Sequence, residues 1–398
     1  MNPKYLRIEE PARAPVPRRL ALWDLGFRPF YLLAALLALL SVPLWALQFS
    51  GWLPAAVLRG AAWHAHEMVF GYALAVVIGF LYTAGRNWSG QPTPTGPALM
   101  ALAALWLLGR VLVLTPFALA AAVVNVAVPW LAAWGLWRAL HAAGNRRNYF
   151  FVALLALLGV AAAAFHAAQA GALARWPGLG LPVALDVVLF MIAVMAGRVI
   201  PMFTNNGIAG LRARRHDRLE PAALGTVVLL ALADAALWRG AGLVVVLLVA
   251  LLTHGARFAL WQPWRTRSNP LVWSLHAAYA WLPLHLALRI GAELGWVGTG
   301  AATHALTVGL IGGITLAMMT RTALGHTGRP LRAGRWEVTA YLAVHGSAAL
   351  RVGLPLVWPQ ALVGAVLASA ALWAVAYAAY LWRYTPLLCA PRPDGQPG

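Results

Sequence analysis

The chain has 398 residues, 62% of them hydrophobic and only 10% charged, with a mean hydropathy of +0.72. That composition lies outside the range of a soluble globular domain and inside that of a polytopic membrane protein, and it leaves no stretch for a separate soluble domain. The formal net charge is +19, but the 30 Lys and Arg are dispersed over alternate loops and form no single patch or stripe, which excludes a nucleic-acid partner as the meaning of that charge.

A membrane span needs ~20 apolar residues. In chain order the predicted spans are 29 to 49, 63 to 85, 97 to 114, 117 to 141, 150 to 171, 182 to 204, 221 to 238, 241 to 262, 272 to 293, 300 to 322, 336 to 357 and 359 to 382, the third and seventh being short. The expected fold is therefore all-α, a bundle of twelve transmembrane helices over 29–385, with an N-terminal segment 1–28 and a C-terminal tail 386–398. The N-terminal segment is basic and holds Pro11, Pro15 and Pro17. The long apolar stretch after it reads as a span and not as a removable signal.

The loops carry helix-ending punctuation: Gln91-Pro92-Thr93-Pro94, Asn145-Arg146-Arg147-Asn148 and Gly325-His326-Thr327-Gly328-Arg329-Pro330. Basic residues alternate in the same rhythm. The set on one side is Lys4, Arg7, Arg13, Arg18 and Arg19, then Arg146 and Arg147, Arg212, Arg214, Arg215 and Arg218, Arg265 and Arg267, and Arg329, Arg332 and Arg335. Near the other side fall only Arg59, Arg110, Arg175, Arg239, Arg289 and Arg351. By the positive-inside rule both termini are expected in the cytoplasm.

The second and tenth spans show a weak internal likeness. His64-Ala65 opens one and His304-Ala305 the other, and at the same offset Gly85 corresponds to Gly325. The sixth span, ending Gly197-Arg198-Val199-Ile200-Pro201, is a looser third member. Spans two, six and ten are four apart, which fits three copies of a four-helix unit about a pseudo-threefold axis, although chance likeness among Ala- and Leu-rich helices gives the same pattern.

Polar side chains inside apolar spans are costly and mark pathways or bound groups. Alternating helix direction sorts them into two layers. One, at the non-basic side, holds His64, His66, Glu67, His166, Asp186 and His304, with His285 near the middle; the other holds Asn87, Arg198, Asn205, Asn206, Arg321 and His326, with His254, His276 and His345 between. The only cysteine, Cys389, lies in the tail, so thiolate clusters and cysteine-based haem attachment are excluded. Imidazole is then the metal ligand present in quantity.

His64 and His304 are the expected axial pair for a haem, held between two facing helices. Glu67, three residues on from His64, is expected on the same side as a hydrogen-bond acceptor for an imidazole or as a ligand itself. His66, two residues from His64, points away from it on a regular helix. His66, His276, His285 and His345 complete the candidate metal ligands. Each of these also reads as a histidine that hydrogen-bonds a neighbouring helix. Arg198, Arg321, Asn206 and His326 are a candidate pocket for an anionic group such as a haem propionate. The two arginines also suit the last turns of their helices, where cations complement the dipole and snorkel.

On five segments the chain resembles the NnrS family of bacterial membrane proteins. They are Leu25-Gly26-Phe27-Arg28-Pro29-Phe30, the stretch Trp63 to Tyr72, Gly79-Phe80-Leu81-Tyr82-Thr83 with Asn87-Trp88, Gly197-Arg198-Val199-Ile200-Pro201 through Asn206, and Thr320 through Arg329. The resemblance implies an inner-membrane protein that binds haem and copper and relieves nitric-oxide or nitrosative stress, with nitric oxide or a related nitrogen oxide as its small-molecule partner. A second likeness follows from it. Catalytic subunits of haem-copper oxidases are similar in their twelve spans, threefold arrangement and histidine-held haem on the second and tenth helices. This chain lacks their adjacent His-His pair, which argues against proton-pumping oxidase chemistry. Two other functions fit the sequence: a secondary transporter with a His/Glu/Arg relay, and a sensor or assembly factor that passes haem or copper to another protein.

Overall fold

A computed structural model describes residues 19–54, 60–172 and 179–396. The first eighteen residues of the basic N-terminal segment, and Arg59 and Arg175 among the loop arginines, lie outside the described residues. Among the described residues every regular element is helical.

In chain order the long elements are α1 Phe27–Phe49, α2 Gly60–Ser89, α3 Gly96–Leu112, α4 Ala118–Ala142, α5 Tyr149–Gln169 and α6 Leu181–Gly207. They continue with α7 Leu219–Ala235, α8 Ala241–Leu260, α9 Pro270–Glu293, α10 Thr299–His326, α11 Arg335–Val357 and α12 Leu362–Cys389. Each predicted span coincides with one of them. Ten of the segments are long and apolar enough to cross a membrane; α3 and α7, at 17 residues each, are the short ones. The ends follow local chemistry. Asn269 accepts a hydrogen bond from the Leu271 amide with Pro270 in the first turn of α9, and Gly90 ends α2 in the left-handed conformation at φ +66°.

Neighbours in sequence pack side by side from α1 to α12, and α12 closes the ring against α1. The guanidinium of Arg28 fastens that closure, donating to the carbonyls of Leu388 at 2.7 Å and Ala390 at 2.8 Å, while the Ala21 amide donates to the Cys389 carbonyl at 2.9 Å. Both ends of the described chain therefore lie at one end of the bundle, and the starts of α2 and α10 lie at the other.

Three helices are the most buried. In their most apolar stretches α2, α6 and α10 bury 78, 67 and 72% of their residues, against 28 to 56% for the other long helices. They are the helices whose sequences share the weak internal likeness. The α2 and α10 helices share a further irregularity. Each widens into a π-helical segment just after its first histidines, Glu67–Ala73 in α2 and Ala305–Gly312 in α10. Such segments are rare and concentrate at functional sites, because the inserted residue rotates all that follows and re-aims the side chains. Glycine makes the α10 segment compatible with close neighbours: a Cβ on Gly312 would stand 2.6 Å from Trp373, and one on Gly313 2.8 Å from His345.

Candidate functional site

The paired irregularities in α2 and α10 flank one cavity of about 570 Å³. His64 and His304 both line it, with Trp45, Tyr72, Arg351 and Trp373 among the other walls. The helix starts that carry the two histidines correspond by sequence, and the fold turns both imidazoles to the same space.

Each imidazole is held. The His64 ring stacks on Trp45 at 4.2 Å between centroids and 17° between planes, and its Nδ1 is buried without a hydrogen-bond partner. His304 donates from Nδ1 to the Gly300 carbonyl at 2.7 Å, one turn back along its own helix, which puts the lone pair on Nε2. Arg351, from α11, lies within electrostatic reach of both rings. The other walls are chiefly apolar or hydroxylic. The Ser347 hydroxyl is bound to Ser369 at 2.8 to 2.9 Å. The Tyr72 hydroxyl meets Thr315 Oγ1 at 2.5 Å and also the Tyr377 hydroxyl.

A second group lies at the same end of the bundle, on another side of α2. Nδ1 of His66 donates to Oε1 of Glu67 at 2.9 Å, and Nη1 of Arg110, from α3, donates to that same oxygen at 2.7 Å. Arg110 also donates to Asn125 Oδ1, and the Asn125 amide donates to the Ala121 carbonyl at 2.8 Å. The His66 and His166 rings are 5.1 Å apart at 72°, and Nε2 of each is buried without a partner. Both histidines line a cavity of about 850 Å³ between α2, α4 and α5.

Glu67 thus serves His66, its neighbour, and not His64, three residues back. The π turn that begins at Glu67 is the cause. On a regular helix consecutive residues point about 100° apart, and the wider turn swings the carboxylate round toward the imidazole before it. Gly71 leaves the room: a Cβ there would stand 2.8 Å from Arg110 Nη1 and 2.6 Å from Leu37.

The other predicted ligands are dispersed. His276 Nε2 donates to Thr204 Oγ1 at 2.9 Å, since that hydroxyl already donates to Ile200, and its Nδ1 is buried without a partner. His285 donates from Nδ1 to the Ala302 carbonyl at 2.8 Å, bracing α9 against the start of α10. His345 accepts from the Trp281 indole at 3.2 Å through Nδ1, which leaves the proton on Nε2. Among the described residues no three His, Cys, Asp or Glu side chains gather as a metal cluster.

Arg198, Arg321, Asn206 and His326 do not line the His64–His304 cavity. Arg198 donates to Asn148 Oδ1 at 3.1 Å and stands over the Phe150 and Phe151 rings. Arg321 lies over Phe203 at 3.8 Å. Asn206 is exposed at the end of α6, and the His326 ring sits 5.7 Å from Phe27. The neighbouring Asn205 is a structural brace, accepting from the Ala213 amide at 2.7 Å and donating back to its carbonyl. Arg351, near the His64 and His304 rings, and Arg110, bonded to the carboxylate that His66 uses, are the cations beside the cavity-lining histidines; the sequence sets both apart only as arginines of the less basic side. Their signal is position: each is a charge in an otherwise apolar helix, Arg351 within the body of α11 and Arg110 in the last turn of α3, where an arginine needs a partner or a cavity.

A family model described as NnrS protein matches residues 21–392. No curated protein matches the chain.

Proposed function

The chain belongs to the NnrS family, and from that premise we propose that it is a haem protein of the nitric-oxide response, its iron held between His64 and His304 inside the bundle. One observation carries the reading: imidazoles from corresponding positions of α2 and α10 line a single, mostly apolar cavity of about 570 Å³. That size is in the range of cofactor sites.

The residues present fit the group. His304 has its Nε2 lone pair set by the hydrogen bond to Gly300, and His64 keeps a buried nitrogen with no protein partner. Trp45 holds the His64 ring flat against it. Arg351 supplies the positive charge that anionic propionates require, in place of the predicted Arg198 and Arg321. Iron porphyrin, when bound, supplies a redox-active metal with affinity for nitric oxide. The protein's contribution is to orient two imidazoles, offset carboxylate charge and exclude water by its apolar walls. Copper belongs to the same reading as a second cofactor.

Twelve crossings, with both termini on the cytoplasmic side of a bacterial inner membrane, complete the proposal. The common end of the two termini and the alternation of basic loops support it. The three buried helices, four apart, favour three four-helix units, as in haem-copper oxidases, over the two six-helix halves usual in transporters.

The test is spectroscopic. Detergent-purified protein from haem-replete cells is expected to show a Soret band, lost or shifted to a five-coordinate form in His64→Ala and in His304→Ala. A folded, colourless preparation overturns the proposal.

A further inference from the structure

We propose that Arg147, Arg198 and Arg215 form a binding site for the phosphate of an anionic phospholipid, in the membrane leaflet at the end of the bundle that carries both termini. The site is separate from the His64–His304 cavity and independent of the haem reading.

The three arginines come from different places in the chain: Arg198 from α6, Arg147 from just before α5, and Arg215 from between α6 and α7. Packing brings them together. Arg198 Nη1 donates at 3.1 Å to Oδ1 of Asn148, the neighbour of Arg147. Glu220 Oε2 lies 2.5 Å from where a Cβ on Gly197, the neighbour of Arg198, would stand, and 3.8 Å from Arg215 Nη2. Arg147 and Arg215 are accordingly both within electrostatic reach of Arg198. Glu220 does not offset these charges, because Arg257 already holds both its oxygens, at 2.6 and 3.1 Å. Among the described residues neither Arg147 nor Arg198 has a carboxylate partner. Cations gathered without a counter-charge repel one another, and they point to an anion from outside the chain.

Arg198 is held ready for one. Its guanidinium stands over the Phe150 and Phe151 rings, at 5.6 and 5.7 Å from their centroids. The Asn148 amide that backs it donates to Asn145 Oδ1 at 3.1 Å, and the Asn145 amide donates to the Trp88 carbonyl at 2.8 Å. Only Nη1 is used in this way, so Nε and Nη2 of a fixed, planar fork have no acceptor among the described residues. Such a fork matches phosphate oxygens. Asn148 stands at the start of α5 yet caps none of its amides, its side chain being spent on Arg198 and Asn145, which leaves the positive end of that helix beside the guanidinium.

Depth names the source of the phosphate. Trp88 stacks on Phe151 at 5.2 Å and 20°, and Trp88 and Tyr149 are both half-buried at this level. Tryptophan and tyrosine in that setting mark the headgroup region of a bilayer. Basic pockets between helices at that depth take anionic lipid head groups. Free phosphate shares the chemistry and not the location.

The experiment is native mass spectrometry of the detergent-purified full-length protein, titrated with phosphatidylglycerol or with zwitterionic phosphatidylethanolamine of the same chains. Each arginine near a membrane surface adds roughly fivefold to the affinity for an anionic lipid, so the first bound lipid is expected to be phosphatidylglycerol by roughly 100-fold. Arg198→Ala is expected to cut that preference about fivefold or more, and Arg147→Ala combined with Arg215→Ala about 25-fold. The double variant changes only exposed side chains and decides the matter if Arg198→Ala does not fold. Arg332→Ala, an equal loss of charge in another loop, is expected to leave the preference unchanged. His64→Ala is expected to bind the lipid normally, so failure of the haem reading leaves this one standing. Inorganic phosphate in large excess is expected not to displace the lipid; displacement would assign the site to a free anion and overturn the proposal. It is equally overturned if the wild-type protein does not prefer the anionic lipid, if the folded Arg198 and double variants keep the preference, or if Arg332→Ala loses as much as they do.

Discussion

Nδ1 of His66 lies 2.9 Å from the carboxylate of Glu67, the next residue in the chain, and Arg110 reaches the same oxygen from α3. Glu67 and Arg110 are almost fully withdrawn from solvent, with 1% and 10% of their side chains exposed. Removing one member leaves the other charge buried and uncompensated, which costs about 3–5 kcal/mol. Glu67→Leu is expected to lower the thermal unfolding midpoint in detergent far more than Glu67→Leu combined with Arg110→Met. A double variant as unstable as the sum of the singles would show that the pair does not act as a unit.

Gly197, in the α6 motif, is where another buried pair crosses. Arg257 Nη2 donates to Glu220 Oε2 at 2.6 Å, and Arg257 Nη1 donates to the Ala193 carbonyl at 2.9 Å. A Cβ on Gly197 would collide with both partners, standing 2.5 Å from the Glu220 carboxylate. Gly197→Ala is expected to destabilise by about 1–3 kcal/mol, the usual cost of overpacking. Differential scanning fluorimetry checks it, and an unchanged midpoint refutes it.

Arg28 holds the ring of helices shut through the Leu388 and Ala390 carbonyls. Its motif, Gly26-Phe27-Arg28-Pro29, is accounted for by that contact. Arg28→Ala gives up charge-assisted bonds worth about 1.5–3 kcal/mol each. The loss is expected to be local: faster amide exchange and proteolysis around the end of α12, with the middle of the bundle unchanged. Uniform loosening of the whole chain would contradict this.

At the tail, Arg392 grips Asp394 at 2.6 Å, and this hydrogen bond holds the carboxyl down at about 2, below its ordinary 3.8. A depressed carboxyl favours the folded contact above its ordinary value and loses it as pH falls through about 2. The pair is therefore expected to persist through mildly acidic pH. A carbon-detected titration of Asp394 should find its midpoint near 2 in the wild type and near 3.8 in Arg392→Ala. Equal midpoints would remove the pair from consideration.

The sequence by itself determined the helices. Apolar runs of span length with Gly, Pro and Asn between them place every long element, because in lipid each backbone group must be bonded within its own helix. The likeness of His64-Ala65 to His304-Ala305 also singled out two histidines that line one cavity. Tertiary structure alone decided the rest. Helical periodicity assumes a regular turn, so the π segments that give Glu67 to His66 in place of His64 lie outside it. Which helices touch is not written in any one helix, so the pairing of His66 with His166 from α5 had no signal in spacing. The same holds for Arg351. An arginine inside an apolar helix announces that it needs company, and only packing chooses the company.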